Sequence, residues 1–271
     1  MSVEGVTVIT VRSFVLSYIS RMDRQEQNDR AEWLLGPSAK CQVVEEVDHP
    51  WRLVLLGAPG VGKGTQADLL TRRLRACHLS TGDVFRALSG RAGCDLSPAM
   101  KTALEYMRRG DLVPDSTVWD MVRERNGCLH CGGGFILDGF PRTVGQAESL
   151  RRLMVNENLE LSAVINYVLP VNEIVARLSG RRTCAKCKSV YHVTELPPKV
   201  AGRCDRCDVE LFQREDDRPE SIKVRLEAYD RSTAPLIEFY EKLDLLMPVA
   251  ASGTPEEICG RTMAALAIRR A

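Results

Sequence analysis

No apolar run in this chain approaches the ~20 residues needed to cross a bilayer, so a membrane-spanning helix is not expected. Net charge is nearly absent too. Lys and Arg number 37 against 36 Asp and Glu, so no global positive field gathers nucleic acid and only a local basic groove could. Internal repeats and low-complexity tracts are missing, which excludes solenoid and fibrous architectures. No secretory signal is recognisable, and the ten cysteines are therefore not read as a disulfide scaffold. Six of the ten stand in CxxC pairs, a pattern that suits metal binding in a reducing, cytoplasmic compartment. What is present, 44% hydrophobic and 27% charged residues in 271, describes an ordinary globular protein. It is long enough for one large domain or for a domain with an insertion.

Residues 1–50 are the least readable. "VTVITVRSFVLSYIS" is β-rich, and "RMDRQEQNDRAEW" reads as a polar helix. Arg12 and the serines have the composition of a transit peptide, whereas Glu4 and the acidic residues from Asp23 to Asp48 oppose it. An N-terminal extension of unknown role is expected, rather than organellar targeting.

From Trp51 the pattern sharpens. "WRLVLLG" is a continuous apolar run ending in glycine, as a strand covered on both faces requires. "CHLS", "GFILDG", "AVINYVL" and "LMPVA" are four further strand candidates, separated by helical stretches. Alternating β and α elements predict an α/β fold with a doubly wound, parallel, five-stranded sheet and ligands at the carboxyl ends of its strands. Apolar residues recur at helical spacing from Lys63 to Arg75, "SPAMKTALEYMRRG" carries helix punctuation at both ends, and "TPEE" at Thr254 is a capping box. Residues 181–217 break the rhythm, being rich in Cys, Pro, Lys and Asp. They read as an inserted subdomain between core segments 51–180 and 218–271.

"GAPGVGKGTQ", Gly57 to Gln66, follows a strand candidate and opens a helix. Glycines there let backbone N–H groups curl round phosphate oxygens at the positive end of a helix, and Lys63 adds a point charge. Gly57, Gly60, Gly62, Lys63, Gly64 and Thr65 are the expected triphosphate-binding set. The usual Ser or Thr after the lysine is Gly64 here, so a direct hydroxyl–Mg²⁺ bond is not assured. Asp138, ending "FILD", is the expected carboxylate beside the Mg²⁺. Arg86 and Arg142 each stand close after a strand candidate, which suggests a second anionic ligand.

"GAPGVGKGTQ", "STGDVFRA", "GDLVPD", "ILDGFPRTVGQA", "RLSGRR" and "REDDRPESIKVRLEAYDRSTAPLI", in that order, resemble the adenylate kinase family from about Arg52 to the C-terminus. The resemblance implies a P-loop kinase fold and reversible transfer of the γ-phosphoryl group of Mg²⁺·ATP to AMP, giving two ADP. It implies that Thr81, Arg86, Leu112, Val113, Gly139, Arg142, Gln146, Arg214 and Arg225 bind AMP. Asp83 and Asp138 would orient the water shell of Mg²⁺. Arg177 and Arg181 would bind ATP, and the AMP-binding segment would span about 80–113. Thr81 and Gln146 are adenine-reading choices, where relatives acting on UMP or CMP usually have Ala and Asn. GTP:AMP and UMP/CMP kinases remain the alternatives within the class.

Phosphoryl transfer asks the protein to align donor and acceptor, to spread charge on the migrating group and to exclude water. Two nucleotides meeting end to end repel one another. Lys63, Arg142, Arg177, Arg181, Arg214 and Arg225 are the catalytic set the resemblance implies, and no general base is expected. Judged without the resemblance, Arg177 and Arg225 would pass for solvated helix faces.

Cys184, Cys187, Cys204 and Cys207 are spaced C-x₂-C-x₁₆-C-x₂-C, inside the window for a four-thiolate zinc site. Three roles compete. A catalytic zinc needs an open position, which four thiolates close off. A nucleic-acid ribbon, part of a P-loop switch, would use Lys186, Lys188, Lys199, Arg203 and Arg206. Asp205, Asp208, Glu195 and Glu210 dilute that charge, and a stacking platform of several rings is lacking. The third role, a brace for a segment too short to build its own core, is the expected one. The segment is then a zinc-bound lid carrying arginines onto ATP. Glycine usually follows the second cysteine of such a knuckle, and Lys188 and Asp208 stand there instead. Cys128/Cys131 is read as an unpaired coincidence, and His192 as packing within the lid. The expected partners are nucleotides, with no nucleic acid and no membrane, and the chain is expected to act as a monomer.

Overall fold

The computed structural model describes residues 47–81, 98–109, 113–123, 129–187 and 189–270. The chain divides into two compact units, one formed by residues 43–82 and 125–271 and the other containing 83–124 with 1–42.

The larger unit is built on β1 (Trp51–Leu56), β2 (Cys77–Ser80), β3 (Gly134–Asp138), β4 (Ala163–Val168) and, far along the chain, β8 (Leu246–Ala250). These are the five expected strands. They pair in parallel in the order β2-β3-β1-β4-β8. Strand β1 lies at the centre because Leu53, Val54 and Leu55 leave nothing polar to show to water, and all three are buried. Helices α1 (Lys63–Leu74), α4 (Val144–Asn156), α5 (Val171–Gly180), α6 (Pro219–Ser232), α7 (Pro235–Glu241) and α8 (Pro255–Arg270) complete the unit. Leu53, Leu55, Ile136, Ile165 and Tyr167 of the sheet share one core cluster with Leu70, Leu178, Ile258 and Leu266 of the helices. Register then lines up the strand ends. Leu55 and Ser80 both pair with Asp138, so the segments following β1, β2 and β3 emerge at one edge of the sheet.

The predicted capping box of α8 is present: the Glu257 amide donates to Thr254 Oγ1 at 3.3 Å, and Glu257 Oε2 accepts from the Thr254 amide at 2.8 Å. At its other end Arg270 lies over the Trp51 ring, 4.1 Å from the centroid, tying the helix to the first strand.

Inserted between α5 and α6 is a three-stranded antiparallel sheet, β5 (Arg181–Cys184), β6 (Val190–His192) and β7 (Leu211–Phe212), in the order β6-β5-β7. In the second unit, α2 (Pro98–Arg109) packs against α3 (Asp115–Arg123), with Ala99, Ala103, Thr117 and Val118 buried.

Candidate active site

The turn after β1 is shaped by contacts that only glycine tolerates. Gly57 has φ +131°, and a Cβ there would sit 2.6 Å from the Tyr167 carbonyl oxygen. Gly60 has φ +88°, and a Cβ there would meet Leu178 Cγ at 2.7 Å. The loop is thereby pressed onto β4 and α5. Gly62 is the N-cap of α1, and the first-turn amides that follow lack intrahelical acceptors, which makes them a phosphate cradle. Thr65 and Gly64 are exposed on that turn. Lys63 Nζ curls back to donate to the carbonyl oxygens of Gly57 at 2.6 Å and Ala58 at 3.0 Å.

Lys63 reports what surrounds it. Burial pushes its ammonium down from 10.5 to about 8. The Asp138 carboxylate opposes that shift, whereas the guanidinium groups of Arg142, Arg225 and Arg181 add to it. Four predicted site residues from three separate segments thus act on one ammonium. Asp138 is buried at the end of β3, with Oδ2 only 3.6 Å from where a Cβ on Gly64 would be. The carboxylate occupies space near the residue where other phosphate loops carry a hydroxyl.

The segment after β3 forms a second station. Thr81 Oγ1 donates to the Gly139 carbonyl at 3.0 Å, and Arg142 Nε donates to the same oxygen at 2.8 Å. Gln146 Oε1 accepts from the Arg142 amide at 2.7 Å, and Thr143 caps α4 by accepting from the Gln146 amide at 3.2 Å. Thr81, Gly139, Arg142 and Gln146 are therefore one hydrogen-bonded group. Val113 lies before α3 in the second unit, half-buried. Asp83, Arg86 and Leu112 lie outside the described residues, as do Cys128, Lys188 and nearly all of the N-terminal extension.

The remaining arginines are held by groups the sequence reading did not single out. Asp217 is fully buried in a 3₁₀ turn before α6. It accepts from Arg181 through both carboxylate oxygens, one contact being Nε to Oδ2 at 2.7 Å. Arg225 NH1 lies 3.4 Å from Asp217 Oδ1 and donates to the Asp216 carbonyl at 2.7 Å. Arg214 Nε donates to Thr183 Oγ1 at 2.9 Å. Arg177 turns elsewhere, donating to the Ala251 carbonyl at 2.9 Å. The acidic run beside Arg214 in "REDDR" was the available signal for Asp217.

In the inserted sheet the four cysteines meet. Cys187 and Cys204 Sγ lie 3.4 Å apart, and Cys207 Sγ lies 3.5 Å from both Cys184 and Cys204. All four sulfurs fall within 4.8 Å of one another. A tetrahedral Zn²⁺ with bonds of about 2.3 Å has S···S edges of about 3.8 Å, so the set closes on a zinc ion after small adjustments. Asp208, in the usual glycine position, adopts φ +51°, a left-handed geometry that Asp accepts more readily than most residues. Arg203 steadies it, Nε to Oδ1 at 2.6 Å. Tyr191 lies 3.5 Å from Cys204 Sγ and accepts from the Asp205 amide at 2.9 Å. Cys131 is buried away from this group in sequence, and His130 beside it contacts Glu157 at 2.9 Å.

His192 packs as expected, against the end of α5. Its Nδ1 accepts from the Glu195 amide at 3.0 Å, and its ring lies where any Cβ on Gly180 would clash, 2.1 Å from Nε2. Gly180 ends α5 and Arg181 begins the insertion, so this contact fixes the path into it.

A phosphate loop at the centre of a parallel sheet, ringed by cations from several segments, defines a P-loop phosphotransferase fold. Within that class, the adenylate kinase family model matches residues 55–245. The adenylate kinase of Thermodesulfovibrio yellowstonii is 48% identical over 207 residues, 76% of this chain and 94% of that protein. That of Acidothermus cellulolyticus is 47% identical over 215 residues, 79% of this chain and 97% of that one. That of Ruminiclostridium cellulolyticum is 44% identical over 218 residues, 80% of this chain and all of that one. The chain belongs to the adenylate kinase family.

Proposed function

We propose that this enzyme transfers the γ-phosphoryl group of ATP reversibly to AMP, giving two ADP. The observation that carries the reading is the convergence of Arg142, Arg181, Arg225 and Asp138 on Lys63. A loop that only binds one nucleotide needs no such ring, whereas two polyphosphates approaching end to end do.

In this reading Gly57, Gly60, Gly62, Lys63, Gly64 and Thr65 cradle the ATP phosphates. Arg177 and Arg181 flank the donor. Thr81, Arg86, Leu112, Val113, Gly139, Arg142 and Gln146 receive AMP, with the acceptor segment spanning about 80–113. Arg181, Arg214 and Arg225 spread charge on the migrating group, and Asp217 keeps two of them aimed. Mg²⁺ bound with ATP neutralises phosphate charge, with Asp83 and Asp138 ordering its water shell. The acceptor is already a phosphate anion, so no side chain has to remove a proton.

Residues 181–217 act as a lid on the core segments 51–180 and 218–271, braced by Zn²⁺ on Cys184, Cys187, Cys204 and Cys207. Four thiolates leave no open coordination position, so the metal serves structure and not turnover. The enzyme works as a cytoplasmic monomer on free nucleotides, and no residue assigned to the site falls in 1–50. A coupled assay that offers AMP, UMP, CMP and GMP in turn, each with ATP and with GTP as donor, tests the reading. AMP with ATP should be fastest. Preference for UMP or CMP would overturn the adenine assignment of Thr81 and Gln146, and inactivity with every pair would overturn the kinase reading.

A further inference from the structure

The described residues hold one buried imidazole that the proposed mechanism does not use. His78 lies on β2, register-paired with Ile136, two residues before Asp138 on β3. Parallel pairing and the two-residue period of a strand put His78 and Asp138 on the same face of the sheet. The helix packed against these strands is α1, and its residues Gly64 and Asp68 stand one turn apart on one face. The ring is thus enclosed between two acids from two elements. Nδ1 is 3.5 Å from Asp68 Oδ1 and Nε2 is 3.6 Å from Asp138 Oδ2. The His78 side chain is 9% exposed, and Nε2 is buried without a hydrogen-bond partner among the described residues. A buried polar nitrogen left unmatched costs free energy, so such a group is retained where another state of the site uses it. The nearest acceptor is the Asp138 oxygen that also faces Gly64.

We infer that His78 is a positioning residue for Asp138. It holds Oδ2 against the imidazole when nucleotide is bound, leaving the other carboxylate oxygen for the water shell of Mg²⁺, while Asp68 anchors the ring from behind. Separations just beyond hydrogen-bond length fit a contact that tightens in the loaded site. This inference rests on the proposed role of Asp138, and its test keeps the two apart.

His78→Asn and His78→Gln divide the ring's functions, because the Asn amide reaches the place of Nδ1 and the Gln amide that of Nε2. Turnover is followed against Mg²⁺ concentration at saturating nucleotide, and ATP binding is measured calorimetrically with and without Mg²⁺. His78→Asn should raise the Mg²⁺ half-saturation on the order of tenfold, as removal of an outer-shell partner does. Its Mg²⁺-free ATP affinity should stay unchanged. His78→Gln should stay near the parent in both readouts. Equal behaviour of the two variants, or loss of Mg²⁺-free ATP binding, overturns the inference. Asp138→Asn is the control on the underlying reading. If Asp138→Asn leaves Mg²⁺ dependence unchanged, the assignment of Asp138 falls and the inference with it. If Asp138→Asn raises the requirement and His78→Asn does not, only the role of His78 falls.

Discussion

The two sheets of the larger unit are held together in opposite ways. The five-stranded sheet buries a continuous cluster running from Leu53 through Tyr167 to Leu266, and the hydrophobic effect suffices. The three-stranded sheet buries only Cys184, Tyr191, Cys204 and Leu211, with Cys187, Cys207 and Val209 against them. Four of those seven residues are cysteines. Around it Val190, Val193, Leu196, Val200 and Phe212 remain exposed, because the segment is too thin to cover its own apolar groups. A large element can be rigid through packing; a small one with little core gains rigidity from a covalent or coordinative pin.

The comparison is broken most severely by removing the pin. Structural zinc contributes on the order of 10 kcal/mol to the segment it folds. Cys184→Ser, or a strong chelator, should therefore unfold residues 181–217 while the parallel sheet survives. Elemental analysis should give no zinc, and calorimetry should show the lid transition lost with the core transition retained. A variant that keeps one zinc per chain would show that the ligand set is wrong.

Asp217 joins the two regions, and its loss comes next. Removing one partner of a buried ion pair costs about 3–5 kcal/mol, since the other charge is left unmatched. Asp217→Ala should lower the melting temperature and reduce turnover, because Arg181 and Arg225 lose the carboxylate that holds both. Asp217→Asn, similar in shape but uncharged, should recover part of the stability and less of the turnover.

Lys63→Met sharpens the comparison from the core side. Turnover should fall on the order of 10²–10³-fold, the usual cost of a lost transition-state contact, with zinc content and fold unchanged. The site also makes a pH prediction. Because the folded pKa of Lys63 is about 8 against an ordinary 10.5, the folded protein sheds this proton before the unfolded chain does. The group's contribution to stability therefore rises with pH between those two values, and the rise should vanish in Lys63→Met. ATP arriving in that window should restore the charge, so calorimetry in buffers of different ionisation enthalpy should register proton uptake. Absence of uptake would mean that Lys63 does not meet the phosphates.

The smallest effect lies on the core side, at the start of α8. Thr254→Ala removes one half of the α8 capping box and should cost about 1 kcal/mol of core stability, leaving the lid transition alone. Separate melting of lid and core is what makes that distinction measurable.

Much of this was legible in residue order. Strands β1, β2 and β3 end in or just before glycine, serine or aspartate, and Gly57 and Gly60 of "GAPGVGKGTQ" sit where a Cβ would clash with Tyr167 and Leu178. The cysteine spacing also foretold the sulfur cluster. Other features were not legible. Asp208 stands where glycine is usual, and residue order does not show that Arg203 holds it in the left-handed geometry. Asp217 is one acid in a run of three, and nothing local distinguishes it from Glu215 or Asp216. Only the first contact with Arg181, 36 residues away, does so.

By itself, the sequence determined the kinds of element, the phosphate-binding turn and the metal-donor set, because each is written in neighbouring residues through periodicity, glycine placement or ligand spacing. The tertiary structure alone decided how the cations around Lys63 are held, which acid restrains them and which histidine stands behind Asp138. Those relations join side chains from distant segments. They exist only once parallel pairing brings the ends of β1, β2 and β3 together, and burial then makes each charge depend on its neighbours.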